Sequence, residues 1–145
     1  MKKLFYLLLL PLLCVSCEEL EEPEPDPADA FVGRYEYFTT MFATYGSASQ
    51  TGMLEGEFSI VKLSRDRVRM TGDWSSIGEV YGNTVSFSDD YQSDASGYLT
   101  FKFGAASFSG GLLYFNYTAS GRLKYTDGVA YPFTCNGSVT AHRID

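Results

Sequence analysis

The sequence is poor in the side chains that most enzymes use for proton transfer and metal binding. His142 is the only histidine among 145 residues, so a catalytic Ser-His-Asp or Cys-His arrangement would depend on that one residue. There is no histidine-rich set with zinc spacing, no phosphate-binding loop and no glycine pattern of a dinucleotide-binding fold. The sequence therefore predicts a non-enzymatic protein with no metal and no cofactor.

The chain also lacks a hydrophobic run long enough to span a bilayer, which requires about 20 residues. A short apolar run, residues 7–13, follows the basic pair Lys2 and Lys3 and precedes the small residues Val15 and Ser16. A positive start, an apolar middle and small residues before a cleavage point are typical of a secretory signal peptide. We therefore expect residues 1–16 to be removed on export.

Cysteine is scarce as well, and its positions favour lipidation over a disulfide. Cys17 directly follows Ser16, which resembles the lipobox of bacterial lipoproteins, although Cys14 stands where that motif usually has Leu. The resemblance implies that Cys17 is acylated and becomes the mature N-terminus, and two or more acyl chains give stable membrane attachment. Cys135 then has no cysteine partner, and its alternation with Phe133 predicts that it is buried.

Residues 17–29 combine prolines with acidic side chains. Seven of the 18 acidic residues of the chain lie here: Glu18, Glu19, Glu21, Glu22, Glu24, Asp26 and Asp29. Repulsion between like charges and the stiffness of proline predict an extended tether. An acidic stretch after a lipidated cysteine resembles the surface-export signal of lipoproteins from the Bacteroides group, which implies a position on the outside of the outer membrane. A solvated linker with no export role is the alternative.

Residues 30–145 are long enough for one domain with a substantial core. Acidic and basic residues are nearly balanced here, so the low pI of about 4.6 belongs mainly to the tether. Because a nucleic-acid partner requires a basic domain, the sequence predicts no such partner.

This domain is rich in aromatic residues, which favour strands, and no segment sustains a helical period. Alternation of period two recurs instead in nine stretches. They are residues 31–42, 54–63, 67–71, 77–81, 84–88, 98–103, 112–119, 121–126 and 129–142. Turn residues such as Asp127 and Gly128 predict hairpins between them, and residues 46–52 and 89–97 are predicted as longer loops.

Eight or nine short antiparallel strands joined by hairpins predict an all-β, up-and-down meander. A meander must protect its edge strands, and closure into a barrel does so most simply, with a two-sheet β-sandwich as the alternative. Gly33 and Tyr35 of the first strand resemble the Gly-x-Trp opening of lipocalin-like (calycin) barrels, with Tyr in place of Trp. In that family the element packs near an arginine of a late strand and closes one end, and Arg122 and Arg143 are both candidates here. The chain resembles small lipocalin-like surface lipoproteins of the Bacteroides group, which implies a barrel and a small apolar ligand.

Tyrosine is the most informative residue type for a binding site, because a buried phenol needs a hydrogen-bond partner that a purely apolar core does not offer. Tyrosines that line a cavity can stack on a ligand and donate hydrogen bonds to it. The candidate lining residues are Tyr35, Tyr37, Tyr98 and Tyr114, with Trp74 near a rim. The alternative is a barrel filled by its own side chains, since an eight-stranded barrel has room either for those or for one small ligand.

Two functions follow from this reading. The first is a non-enzymatic lipoprotein of the outer membrane, attached through Cys17 and exposed at the cell surface, that binds a small apolar or amphipathic ligand inside its barrel. The second is a structural or interaction lipoprotein with a filled barrel, which contacts an envelope or host protein through its loops.

Overall fold

A computed structural model of the chain describes residues 22–145, and this part is all-β with no α-helix. Ten antiparallel strands account for most of it. They are β1 (Gly33–Tyr45), β2 (Ala48–Ser64), β3 (Arg67–Gly72), β4 (Ser76–Tyr81), β5 (Thr84–Phe87), β6 (Asp90–Asp94), β7 (Gly97–Phe103), β8 (Ala106–Ser109), β9 (Leu112–Lys124) and β10 (Ala130–Arg143). No helix between residues 22 and 145 is long and apolar enough to cross a membrane.

Eight of the strands close into a ring. The order around the ring is β10, β1, β2, β3, β4, β5, β8 and β9, and β9 pairs with β10 to complete it. The first and last ring strands are in register along their length, from Tyr35 opposite Arg143 to Tyr45 opposite Phe133. The predicted antiparallel meander and its closure are confirmed.

The remaining two strands form a hairpin outside the ring. β9 pairs with β8 through Leu112–Tyr114 and with β7 through Tyr117–Leu123. β6 and β7 therefore extend the sheet beside the C-terminal half of β9. The prediction of a loop over residues 89–97 is wrong, because β6 lies within it. Residues 46–52 are not a loop either, since β2 begins at Ala48 after a tight turn in which Gly46 has a φ of 57°.

The strands alternate between the interior of the ring and solvent. On β1, buried Tyr35, Tyr37 and Thr39 alternate with exposed Glu36 and Phe38. The strands were predicted from this period of two in the sequence, because successive side chains of a strand point to opposite faces. The interior is therefore lined mainly by aromatic and branched aliphatic side chains.

The link between β3 and β4 brings an additional side chain into the interior. β3 ends at Gly72, whose φ of 131° and close approach to the Glu57 carbonyl, 2.8 Å from an ideal Cβ, leave no room for a side chain. The chain turns there, away from β2, and buries Trp74 inside the ring. Among the described strands, β2 thus has a partner on this side only from Phe58 onwards.

A short N-terminal segment covers the end of the ring at which β1 begins and β2 ends. Pro27–Ala30 form one turn of 3₁₀ helix, Ala28 and Phe31 are fully buried, and the Ala28 amide donates to the Arg65 carbonyl at 3.1 Å. The Lys62 ammonium pairs with Asp26 at 2.6 Å and with Asp29 at 2.8 Å. Contacts between this segment and the ring therefore begin at Asp26, inside the range predicted as the tether. Residues 1–16, Cys17 and the first part of the tether lie outside the described residues.

Candidate functional site

One end of the ring is closed by an arginine from the last strand. The Arg143 guanidinium donates to the Tyr35 hydroxyl at 3.0 Å and to the Ala30 carbonyl, and it lies 5.3 Å from the centre of the Phe108 ring. Gly33 lies directly beneath it, because a Cβ at this position would come within 2.9 Å of Arg143 Cδ. Gly33, Tyr35 and Arg143 therefore meet at this end, which we call the closed end.

The second candidate arginine is elsewhere. Arg122 is on β9 and lies opposite Pro132 near the start of β10, whereas Arg143 is at the end of β10. The Arg122 guanidinium is exposed and donates to the Ala130 carbonyl at 2.8 Å. Arg143 alone of the two predicted arginines reaches the closed end.

The middle of the ring is filled by aromatic side chains around Trp74. The indole ring lies 4.8 Å from the Tyr37 ring, measured between centroids, and is 5% exposed. The other rings within about 6 Å of it are Phe58, Phe103, Phe115 and Tyr117. The prediction of Trp74 near a rim is wrong, because the turn at Gly72 directs the indole into the core. Tyr35 and Tyr37 are also core residues, so neither faces an internal space at this level.

Two of the predicted lining tyrosines lie on the outside. Tyr114 is 40% exposed and alternates with the buried residues Leu113 and Phe115, so it faces away from the interior. Tyr98 is 42% exposed and stacks on Tyr91 of the outer hairpin, with 6.3 Å between ring centroids. The predicted interior position is wrong for both, because each belongs to the less apolar face of its strand.

The buried phenols have specific partners. The Tyr37 hydroxyl donates to Asp73 Oδ2 at 2.8 Å, and burial together with this carboxylate raises the pKa of Tyr37. Burial, with a smaller contribution from Cys135, raises the pKa of Tyr117 to about 12. Cys135 is buried as predicted, and burial raises the pKa of its thiol. Within the packed interior these groups are therefore held neutral at ordinary pH.

A cavity opens at the other end of the molecule, which we call the open end. It has a volume of about 360 Å³ and is half enclosed. Its apolar wall includes Met41, Ala43 and Phe133, which pack against the core. The remaining lining residues are Tyr45, Ala48, Ser49, Gln50 and Gly52. A mostly apolar wall with a few polar groups is typical of a site for a small molecule, and the volume falls in the usual range of roughly 300–1,000 Å³.

Three tyrosines form a cluster beside this cavity. The Tyr45 ring lies 5.9 Å from that of Tyr125 and 5.6 Å from that of Tyr131, between centroids. The Tyr45 hydroxyl donates to the Leu123 carbonyl at 3.0 Å, and the Tyr131 hydroxyl donates to Asp127 Oδ2 at 2.9 Å. These bonds fix the orientation of the Tyr45 and Tyr131 rings beside the open end.

Among residues 22–145, no three His, Cys, Asp or Glu side chains come together in a way that could hold a metal ion. His142 Nε2 lies 3.3 Å from Glu36 Oε2 on the exposed outer face of the ring.

No model of a known protein family matches the chain, and no curated protein matches it significantly.

Sequence reasoning missed the residues of the open end. Met41 and Phe133 lie in stretches predicted as strands, but nothing in the alternation pattern distinguishes a residue that lines a cavity from a core residue. The one available signal was the small residues Ala43, Ala48 and Gly52, which leave space on paired strands where large side chains would fill it.

Proposed function

We propose that this protein is a lipid-anchored lipoprotein of the cell envelope that binds a small apolar or amphipathic molecule at the open end of its barrel. The single observation that carries the binding function is the half-enclosed, largely apolar cavity of about 360 Å³ beside Met41, Ala43 and Phe133. Ser49 and Gln50 supply the few polar groups that would orient an amphipathic ligand.

The anchor and the cavity are compatible in position. The N-terminal segment is fixed by Lys62 at the closed end, and the cavity is bordered by Ala48 at the start of the same strand. Because β2 runs from Ala48 to Ser64, the two features lie at opposite ends of the strand. An anchor at Cys17 would therefore leave the cavity facing away from the membrane.

The lipoprotein part of the proposal depends on the sequence alone. Cys17 would carry the acyl chains, and the acidic residues 18–26 would form the signal for the outer face of the outer membrane. The test is incorporation of labelled palmitate into the wild type and into Cys17→Ser in cells. Labelling of the wild type alone supports the anchor, whereas equal labelling, or none, contradicts it.

The binding function is tested by filling the cavity. Gly52 borders it, and a Cβ at this position would be 3.9 Å from Met41 Cγ, so Gly52→Leu can place its side chain in the cavity without a clash at the backbone. The neighbouring Thr51 is exposed on the opposite face, so Thr51→Leu is a matched control. We expect N-phenyl-1-naphthylamine to fluoresce with the wild type and with Thr51→Leu, and to bind Gly52→Leu at least tenfold more weakly. Equal binding by Gly52→Leu, or no binding by the wild type, would contradict the proposal.

A second function is favoured by the filled core around Trp74. If the interior is only structural, the protein would act by contacting an envelope or host protein, and the naphthylamine probe would not bind to the native state. The same titration therefore separates the two functions.

A further inference from the structure

The early part of β2 is a free sheet edge. β2 pairs with β1 along its whole length, but it pairs with β3 only from Phe58 to Ser64. Within residues 22–145, positions 48–57 consequently have a strand neighbour on one side only, because β3 ends at Gly72 where the chain turns into the interior.

The hydrogen bonds at the two ends of β1 identify which backbone groups this edge exposes. The Gly46 amide donates to the Pro132 carbonyl at 3.0 Å, and the Ile144 amide donates to the Arg34 carbonyl at 2.9 Å. Both continue the register of β1 with β10, so the even-numbered residues of β1 bond to β10 and the odd-numbered ones bond to β2. The partners of the latter on β2 are the even-numbered residues, such as Leu54 opposite Thr39.

The odd-numbered residues of this part of β2 therefore point their N–H and C=O groups away from β1. Apart from Glu57, which adjoins the start of the pairing with β3, these residues are Ser49, Thr51, Met53 and Glu55. Their backbone groups make no hydrogen bond to any strand in the described part of the chain. A row of unpaired donors and acceptors of this kind is a template for one more strand.

The side chains along the edge lack the usual protection and favour a particular partner. Residues 48–57 include no proline and no lysine, the residues that commonly prevent edge pairing. Met53 is 67% exposed on the outer face and Leu54 is 51% exposed on the inner face, so an added strand would cover apolar surface on both faces. Glu55 is also on the outer face and has no ion pair within residues 22–145, whereas Glu57 pairs with Arg34 at 3.1 Å.

We propose that this edge of β2 binds an extended segment of another polypeptide as an additional antiparallel strand, with apolar residues beside Met53 and Leu54 and a lysine or arginine beside Glu55. The proposal is independent of the cavity. A second copy of this chain fits less well. Parallel pairing of two β2 edges would bring the carboxylates of Glu55 and Glu57 together. Antiparallel pairing would direct the two N-terminal segments to opposite ends of the dimer, which does not suit attachment of both to one membrane as in the proposed function.

The probe is the acetylated peptide Lys-Val-Lys-Val-Val-Val-Thr-amide. In antiparallel pairing its two lysines lie beside Glu57 and Glu55, and its fourth and fifth residues, both valine, lie beside Leu54 and Met53.

Two N-methylated forms of the peptide test the backbone hydrogen bonds. Methylation at the third and fifth residues removes N–H groups that would face β2, and methylation at the fourth and sixth residues removes N–H groups that would face solvent. We expect the first modification to abolish binding to the full chain and the second to change the affinity by less than threefold.

Matched variants of the protein test the same contact. Thr51→Pro removes an edge-facing N–H without affecting the pairing with β1, and proline is tolerated at such edge positions. Ser93→Pro is the control, because Ser93 is on β6, the other edge of the sheet. The register of β6 with β7 directs its even-numbered residues to β7 and leaves the Ser93 amide at the outer edge. We expect Thr51→Pro and Glu55→Lys each to weaken peptide binding at least tenfold, and Ser93→Pro to leave it unchanged.

Amide exchange of the full chain provides a readout without substitution. In the free protein the amides of Thr51 and Met53 should exchange much faster than those of Gly52 and Leu54, and saturating peptide should slow the first pair only. Absence of peptide binding, or equal binding by Thr51→Pro, would overturn the proposal. A concentration-dependent dimer that Thr51→Pro dissociates would overturn it too, because the edge would then belong to a second copy.

Discussion

The Arg143 guanidinium donates a hydrogen bond to the Tyr35 hydroxyl at 3.0 Å and lies 5.6 Å from the centre of the Tyr35 ring. The two residues face each other across the β1–β10 pairing, 108 residues apart in the sequence. A single side chain thus joins the first ring strand, the last ring strand and, through the Ala30 carbonyl, the N-terminal segment.

Replacing this arginine should therefore destabilise the fold much more than replacing an exposed one. Arg143→Met leaves the buried Tyr35 hydroxyl without that donor and releases Ala30, and hydrogen bonds to charged groups contribute about 1.5–3 kcal/mol each. We expect the free energy of unfolding to fall by about 3 kcal/mol, as measured by urea denaturation. Arg122→Met, which removes one exposed hydrogen bond, should change it by less than about 1 kcal/mol. Similar losses for the two variants would contradict the role of Arg143 in closing the ring.

Two aromatic truncations distinguish the core from the outer face. Trp74→Ala removes the side chain at the centre of the aromatic interior and should lower the free energy of unfolding by about 3–5 kcal/mol. Tyr114→Ala acts on the exposed face of β9 and should cost less than about 1 kcal/mol. Unfolding should be followed by circular dichroism, because Trp74 is the only tryptophan and its replacement removes the tryptophan fluorescence signal. A large loss for Tyr114→Ala would mean that this ring packs inside.

The pKa of Tyr117, which burial raises to about 12, predicts a stability change in alkaline solution. Below pH 10 this phenol is neutral in both the folded and the unfolded chain. Between about pH 10 and pH 12 the unfolded chain loses the proton while the folded chain retains it, so stability falls as the pH rises. Urea denaturation at several pH values should show a shallower fall over this range for Tyr117→Phe than for the wild type. An identical pH dependence would mean that this phenol is not held neutral by the fold.

The ion pairs of Lys62 predict a local effect at the closed end. Lys62→Met removes the contacts with Asp26 and Asp29 and should loosen the turn at residues 27–30. Because these groups are exposed, we expect little change in global stability. Hydrogen exchange at the Ala28 amide should become faster, and the amides of β9 should be unaffected. Unchanged exchange at Ala28 would indicate that burial of Ala28 and Phe31 alone holds the segment.

The alternation pattern was sufficient to predict the fold class because it reports a local property. On β1, the face with Tyr35 and Tyr37 is buried, as period two requires. Period two also gives the correct orientation of Tyr98 on β7. Lys102 is on the same face as Tyr98, and its charge indicates that this face is the outer one. Tyr98 and Tyr114 were placed inside because each was considered as a residue type and not as a member of a strand face.

Features that depend on long-range packing were not available from the pattern. Gly72 lies between two stretches predicted as strands, but only the assembled ring shows that the turn there carries Trp74 into the interior. β6 escaped prediction because its side chains are mostly polar and its place in the sheet depends on pairing with β7. The cavity at the open end arises from small residues on β1 and β2 that become neighbours only after pairing.

The pairing of β1 with β10 also has a kinetic consequence. Contacts between residues that are distant in the sequence require closure of a long loop, and topologies dominated by such contacts fold slowly. Until β10 has been synthesised, β1 and β9 each lack a strand that belongs beside them, and the Arg143 side chain that fastens the closed end is absent. A shortened chain that ends before residue 130 should therefore remain an open, protease-sensitive intermediate, and the final barrier to folding should be crossed only when the last strand meets the first.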